Sequence, residues 1–179
     1  MDFLVPKSLR TERLTLCLFN ESDWRDIHEH YSDEECTKYT FGRALTEAET
    51  WRAMASMIEH WHLRGYGPYA VEERETAKVL GMVGLWYPND WPAPEIKWAL
   101  TRRYWGQGFA SEAARAVKNM AAEFIPELSL ISFMNSENLA SIKLAKAIGA
   151  RFYKEVDFRD GKWHIYRHVN FQSCRNTRT

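Results

Sequence analysis

Leu14, Leu16 and Leu18 alternate with Arg13, Thr15 and Cys17, a two-residue period that predicts a half-buried first strand over residues 13–19. Two helices follow. Ser22 is a candidate N-cap before Asp23, Trp24, Ile27 and Tyr31, and Thr46 with Glu49 forms a Thr-x-x-Glu capping box opening a longer helix that runs to about Gly65. Residues 69–73, 79–87 and 95–100 are rich in Val, Leu, Trp and Tyr and separated by turn formers, which predicts three strands in an antiparallel meander. Past Gly106 the period lengthens: Ala110, Ala113, Ala114, Val117, Met120, Ala121 and Phe124 share one helical face.

Residues 128–133 form a short apolar run suited to a buried strand, and residues 136–148 read as a helix stopped by Gly149 in a left-handed cap. Residues 151–158 and 163–169 predict a closing hairpin around Asp160-Gly161. The order is strand, two helices, three strands, helix, strand, helix, two strands, which fits an α/β (mixed α+β) fold. One domain over residues 1–179 is expected, with a frayed polar tail at 172–179.

Composition narrows the functions open to such a fold. Twenty-four basic residues balance twenty-four acidic ones, so neither nucleic acid nor an anionic membrane is an expected partner and any anion site must be local. Residues 1–10 lack the apolar stretch of a signal peptide, and no run approaches the ~20 apolar residues of a membrane span; a cytoplasmic protein is expected. Cys17, Cys36 and Cys174 are too scattered for a disulfide framework or a thiolate metal site. His28 with His30, and His60 with His62, bracket single residues, but on a helix such pairs diverge by ~200°, so no metal is expected.

The local anion site is Trp105-Gly106-Gln107-Gly108-Phe109-Ala110, running from the third meander strand into a helix. Two glycines let backbone approach a ligand, and a helix starting near Gln107 would offer unpaired N–H groups. Arg102 and Arg103 just before it are candidates for bonds to a diphosphate. A tight turn made only for packing is the plainer alternative. Ser111 stands where a dinucleotide fingerprint would have its third glycine, and no P-loop Lys-Ser/Thr pair follows.

With its flanks, this motif resembles the GNAT superfamily, in the branch that includes the RimJ and RimL ribosomal-protein N-terminal acetyltransferases. The likeness also covers Leu9-Arg10-Thr11-Glu12-Arg13-Leu14, Leu80-Gly81-Met82-Val83-Gly84-Leu85, Glu95-Ile96, Asn138-Leu139-Ala140-Ser141 and Ala147-Ile148-Gly149. It implies a mixed, largely antiparallel, splayed sheet of about seven strands flanked by about four helices. It implies acetyl-CoA as cosubstrate, with pyrophosphate on residues 106–111, and pantetheine bonded by the backbone of Ala99, Leu100 and Thr101. Asn138 and Ser141 would face the pantetheine arm and thioester; without the resemblance, Asn138 is an ordinary first-turn helix residue and Ser141 a solvated one.

The chemistry implied is transfer of acetyl to a primary amine, either a peptide N-terminus or a small molecule. Glu95 is the candidate base, with a surface ion pair to Lys97, two residues along the same strand face, as the alternative. A backbone N–H near Ala99 or Leu100 would meet the oxyanion. The family's usual tyrosine acid is replaced by Ala145, so Ser141 or a water is the expected acid, Tyr153 being assigned to packing. The acceptor is expected beside residues 32–45 and 87–94, where Tyr39, Phe41, Trp86, Tyr87 and Trp91 could form an aromatic wall and Asp33, Glu34, Glu35 and Asp90 could attract a cation. A CoA-binding regulatory module is the competing function, and a nucleotide-binding module a third. A monomer or a homodimer fits the sequence equally.

Overall fold

The structure, a computed structural model, describes residues 3–168. The strands are β1 (Ser8–Arg10), β2 (Leu14–Cys17), β3 (Pro68–Glu73), β4 (Val79–Trp86), β5 (Glu95–Leu100), β6 (Ile131–Asn135), β7 (Ala150–Phe158) and β8 (Gly161–His168). The helices are α1 (Trp24–Tyr31), α2 (Glu34–Thr37), α3 (Glu47–Arg64), α4 (Phe109–Phe124) and α5 (Leu139–Ala147). All eight strands join one sheet in the order β1-β2-β3-β4-β5-β6-β8-β7. Every neighbouring pair is antiparallel except β5 and β6, which run parallel because α4 carries the chain across between them.

The sheet and helices each exceed the expected number by one, for a shared reason. β1 has three residues with only Leu9 turned toward the core, and α2 is one turn held by the Asp33 side chain, which accepts from Glu35 N. Neither is long enough to show a period. Boundaries shift where side-chain capping overrides pattern: Asn20, not Ser22, caps the first helical segment, in a reciprocal box with Asp23, and α5 starts at Leu139 because Asn138 caps it. The hairpin turn is Arg159-Asp160, Arg159 having φ of 51°, and Gly161 already pairs with Phe158. The last expected strand residue, Val169, and the tail at 172–179 lie outside the described residues.

Two apolar layers cover the sheet. On one face α4 lays Ala113, Ala114, Val117, Met120 and Ala121 against Leu14, Val71, Leu80, Val83 and Ile96, its alanines allowing close approach to the strands. On the other, Ile27 and Tyr31 of α1 and Met54 and Met57 of α3 pack on Ala70, Val79 and Met82. β4 faces both layers by alternation, and an extra residue shifts its phase: Val71 pairs with Gly81, but Glu72 pairs with Val79, leaving Leu80 bulged.

The site is set by what β5 and β6 do not do. They share one register pair, Glu95 with Ile131, after which β6 turns away to pair with β8 over five residues. A wedge opens between their C-terminal ends.

Candidate active site

At the mouth of the wedge, a 3-10 turn (Arg102–Tyr104) leads into Gly106 and Gly108, whose φ values of 74° and 82° lie in the left-handed region. Only glycine adopts such angles cheaply, which is why the motif needs both. Gly108 is the N-cap of α4 and no side chain caps that helix, whereas Thr46 and Asn138 cap α3 and α5. The N–H groups of the first turn, Phe109, Ala110 and Ser111, are therefore left for a ligand. Ser111 Oγ donates to Gly108 O rather than closing the turn, and Gln107 Nε2 donates to Arg103 O.

A clamp from the β1–β2 turn holds this loop. Arg13 Nη1 donates to Gln107 O at 2.9 Å, its Nε meets Glu112 at 2.7 Å, and its guanidinium covers the Phe109 ring. Glu112 also accepts from Thr11 Oγ1 and Arg13 N. Burial pushes the Glu112 carboxyl up, but these hydrogen bonds outweigh it and hold the group below the usual range. Arg102 and Arg103 are turned to the opposite side, paired with Asp33 and Glu29 at 2.8 and 2.7 Å. Trp105 Nε1 donates to Leu100 O, tying the loop to the end of β5.

Inside the wedge, strand alternation decides which backbone groups face the opening. Thr101 N bonds Leu80 O, and the Ala99 carbonyl points at Gly81, so Ala99 and Thr101 both turn to β4. The groups facing the wedge belong to Leu100 and to Trp98, the latter not among the expected residues. Across the gap, Asn138 Oδ1 accepts from Ser141 N, fixing α5, and Trp98 Nε1 donates to Ser141 Oγ at 3.1 Å. Because the indole supplies that proton, the serine's own remains free to donate. Asn135 orders the strand end by accepting from Glu137 N.

Glu95 sits at the apex, 5% exposed. Its Oε2 accepts from Phe133 N at 3.3 Å, an amide that a longer β5–β6 ladder would have bonded. Burial pushes the carboxyl up to about 7, against the pull of Lys97, Trp91 and the Phe133 amide. Trp91 Nε1 is buried without a hydrogen-bond partner among the described residues, so its influence is that of a nearby dipole. Lys97 lies over the Trp86 ring and makes no ion pair with Glu95 among the described residues. The surface ion pair is thus not formed.

A sheet with one parallel splayed pair, an uncapped helix at its mouth and a buried carboxylate at its apex is the frame of the acetyltransferase that the motifs resemble. The model of the acetyltransferase (GNAT) domain family matches residues 13–151. The chain belongs to the GNAT acetyltransferase family. It is 31% identical over 156 residues to the uncharacterized N-acetyltransferase p20 of Bacillus licheniformis, covering 86% of each chain. A crystal structure of an acetyltransferase from Agrobacterium tumefaciens superposes with a TM-score of 0.82 at 27% identity, covering 94% of this chain and 97% of that one. RimL, a ribosomal L7/L12 α-N-protein acetyltransferase solved with coenzyme A, shares the fold at a TM-score of 0.70 and 18% identity over 92% of this chain and 97% of its own.

As a GNAT acyltransferase the protein departs from expectation at one position. Ala145, where the family's tyrosine is expected, is fully buried with Met134, Ala150 and Tyr166, so that position does not open on the wedge. The clamp residues Thr11, Arg13 and Glu112 were not anticipated as site residues, although the first two lie in the Leu9-Arg10-Thr11-Glu12-Arg13-Leu14 segment. A cleft of about 280 Å³ takes in the wedge itself, lined there by Glu95, Trp98, Phe133, Asn138 and Ser141, and continues outward between Tyr39, Phe41, Trp86 and Trp91 with Asp90 at its rim. Tyr87 is instead covered by Arg64, and Asp33 is spent on Arg102.

The histidines have structural partners. His60 Nδ1 faces Tyr66 O and its Nε2 accepts from Tyr87 N, while His30 Nδ1 faces Leu100 O. No metal-holding group of side chains is found among the described residues, and none of their helices is long and apolar enough to cross a membrane.

Proposed function

We propose that the protein transfers the acetyl group of acetyl-CoA directly to a primary amine in a ternary complex, Glu95 taking the amine's proton. Glu95 carries the reading: a carboxyl buried where β5 and β6 part and poised near pH 7 is matched to deprotonating an amine at neutral pH.

The donor side fits the cosubstrate. The free N–H groups of Phe109, Ala110 and Ser111, with the backbone of Gly106, Gln107 and Gly108, suit a pyrophosphate, and Trp105 closes the loop over the strand end. Arg102 and Arg103 would reach the outer phosphates only by turning away from half-buried Asp33 and exposed Glu29. The Leu100 N–H and the Trp98 backbone would bond the pantetheine amides, Ala99 and Thr101 holding that stretch against β4. Acetyl-CoA brings a thioester carbonyl as electrophile.

The amine nitrogen attacks that carbon, so a C–N bond forms as the C–S bond breaks. A backbone N–H of Trp98 or Leu100 meets the oxyanion. Ser141, held by Trp98 and backed by the Asn138 cap, gives its proton to the departing thiolate and regains one from solvent, while Glu95 releases the proton it took. Holding amine and thioester in line supplies more of the rate than either proton transfer.

A panel of peptide N-termini and small amines, scored by thiol release from acetyl-CoA, tests the reading and the acceptor class together. Release with at least one amine is expected. CoA binding with no release on any acceptor would favour the regulatory module, for which the absent tyrosine at Ala145 speaks, and stabilisation by ATP or NAD instead of CoA would favour a nucleotide-binding module.

A further inference from the structure

The acceptor cleft holds two cations that nothing in the proposed chemistry uses. Lys97 follows Glu95 on the same face of β5, and its ammonium rests 4.7 Å from the centre of the Trp86 ring. Arg159, at the tip of the β7–β8 hairpin, reaches across the cleft to donate to Thr40 O at 3.1 Å and lies over Trp91. Both line the same cavity. Neither takes part in any ion pair among the described residues.

An ammonium partly withdrawn from water is held more firmly when a ligand supplies a counter-charge. The surroundings of Lys97 make this sharper. Burial is the main force lowering its pKa, Arg159 adds to it, and the one opposing carboxylate is Glu95. The nearby rings of His30 and His60 are themselves held neutral by burial. The Glu95 carboxylate offsets Lys97 only while it is ionised and loses that charge when it takes the amine's proton. The remaining acid of the lining, Asp90, is exposed at the rim. The cleft thus presents an amine-facing carboxylate at one end, two basic groups without an ion pair beside it, half-buried Lys97 and exposed Arg159, and aromatic walls around both.

We infer that the acceptor is an amine bearing a carboxylate, an amino acid with an apolar or aromatic side chain, whose carboxylate lies between Lys97 and Arg159 while its amino group faces Glu95. The inference rests on the acetyltransferase reading of the site. Residues two apart in a strand are ~7 Å apart, a span that the lysine side chain closes to bring both ends of an α-amino acid within reach. The aromatic walls would take the side chain. The bond changes are those already given: the amino nitrogen is acylated and the carboxylate stays ionised throughout.

The test compares phenylalanine, phenylalaninamide and phenethylamine as acceptors, with rates expressed per neutral amine. Phenylalanine should exceed the two carboxylate-free amines in kcat/KM by at least about tenfold, the value of one charge-assisted contact. Lys97→Met and Arg159→Met should each collapse that ratio toward unity, mainly through KM for phenylalanine. Equal use of all three amines, or a ratio unchanged in both variants, overturns the inference and leaves the acetyltransferase reading intact. Should no amine release thiol, that reading is what fails. Calorimetric binding of N-acetylphenylalanine still decides the carboxylate site in that case: binding weakened about tenfold or more in Lys97→Met supports it, and equal binding or none to the wild type refutes it.

Discussion

Arg13 Nε lies 2.7 Å from Glu112 Oε2, joining the turn between the first two strands to the first turn of the helix that would hold pyrophosphate. The pair is 42% and 18% exposed in its side chains, so its Coulomb energy is screened and small. Its worth is positional. Glu112 takes three hydrogen bonds from Thr11 and Arg13, and Arg13 passes one on to Gln107 O. Glu112→Ala should therefore weaken CoA binding by about tenfold, ~1.4 kcal/mol, while lowering stability by only ~1 kcal/mol. Calorimetric CoA titration beside urea melts checks this, and unaltered affinity would show that the clamp does not position the loop.

The two glycines of the loop make separable predictions. A Cβ on Gly106 meets nothing within 4 Å, so Gly106→Ala should cost only the left-handed backbone penalty, ~1 kcal/mol. A Cβ on Gly108 comes to 3.3 Å from Arg13 Nη2 and disturbs the clamp as well. Gly108→Ala should lose more stability and more CoA affinity than Gly106→Ala. Equal losses in paired melts and titrations would remove the clamp from the account.

Much of this was legible in the sequence because it rests on local chemistry. Thr46 and Glu49 announce α3, the alanine stripe announces α4, and Gly106 and Gly108 announce the loop between β5 and α4. Glu95 could be named from its place in a strand, but not its burial, which depends on β6 leaving after one register pair. Arg102 and Arg103 illustrate the same limit. Their spacing before the loop suggested phosphate, while their partners Asp33 and Glu29 come from helices some seventy residues earlier. Likewise the alternation of β5 was readable, but which half of it faces the wedge followed only once Thr101 N was seen to bond Leu80 O.

Two buried histidines should make the protein sensitive to mild acid. Burial holds His30 and His168 down to about 4 from an ordinary 6.5. Between these values the unfolded chain binds protons that the native state refuses, so their stabilising contribution is complete above pH 6.5 and is lost as pH falls toward 4. Each can account for at most ~3 kcal/mol. His168 Nε2 meets Ser132 Oγ at 2.8 Å and its Nδ1 has no partner among the described residues, making it the cleaner site to test. His168→Gln should flatten the fall in urea midpoint between pH 7 and pH 4.5, and a slope matching the wild type would rule the residue out.

Glu95 should trade stability for activity, with opposite signs in two assays. Its carboxyl stands at about 7 in the folded protein against 4.5 unfolded, so the native state keeps a proton that the unfolded chain gives up between those values. Stability accordingly falls as pH rises from 4.5 to 7, by ~3 kcal/mol at most. Glu95→Gln cannot ionise and keeps one oxygen for the Phe133 amide. It should be more stable than the wild type at pH 8 and lose that advantage near pH 5, as read from urea melts at the two pH values. Its turnover should fall ~100- to ~10,000-fold, the usual contribution of a positioned base. The wild-type rise of kcat/KM through pH 7 should vanish with it. If the variant keeps that rise, the titrating group lies elsewhere and Glu95 is a buried structural acid. If it gains stability at pH 8 while losing turnover, the burial that strains the fold is what readies the carboxylate to take a proton from the amine.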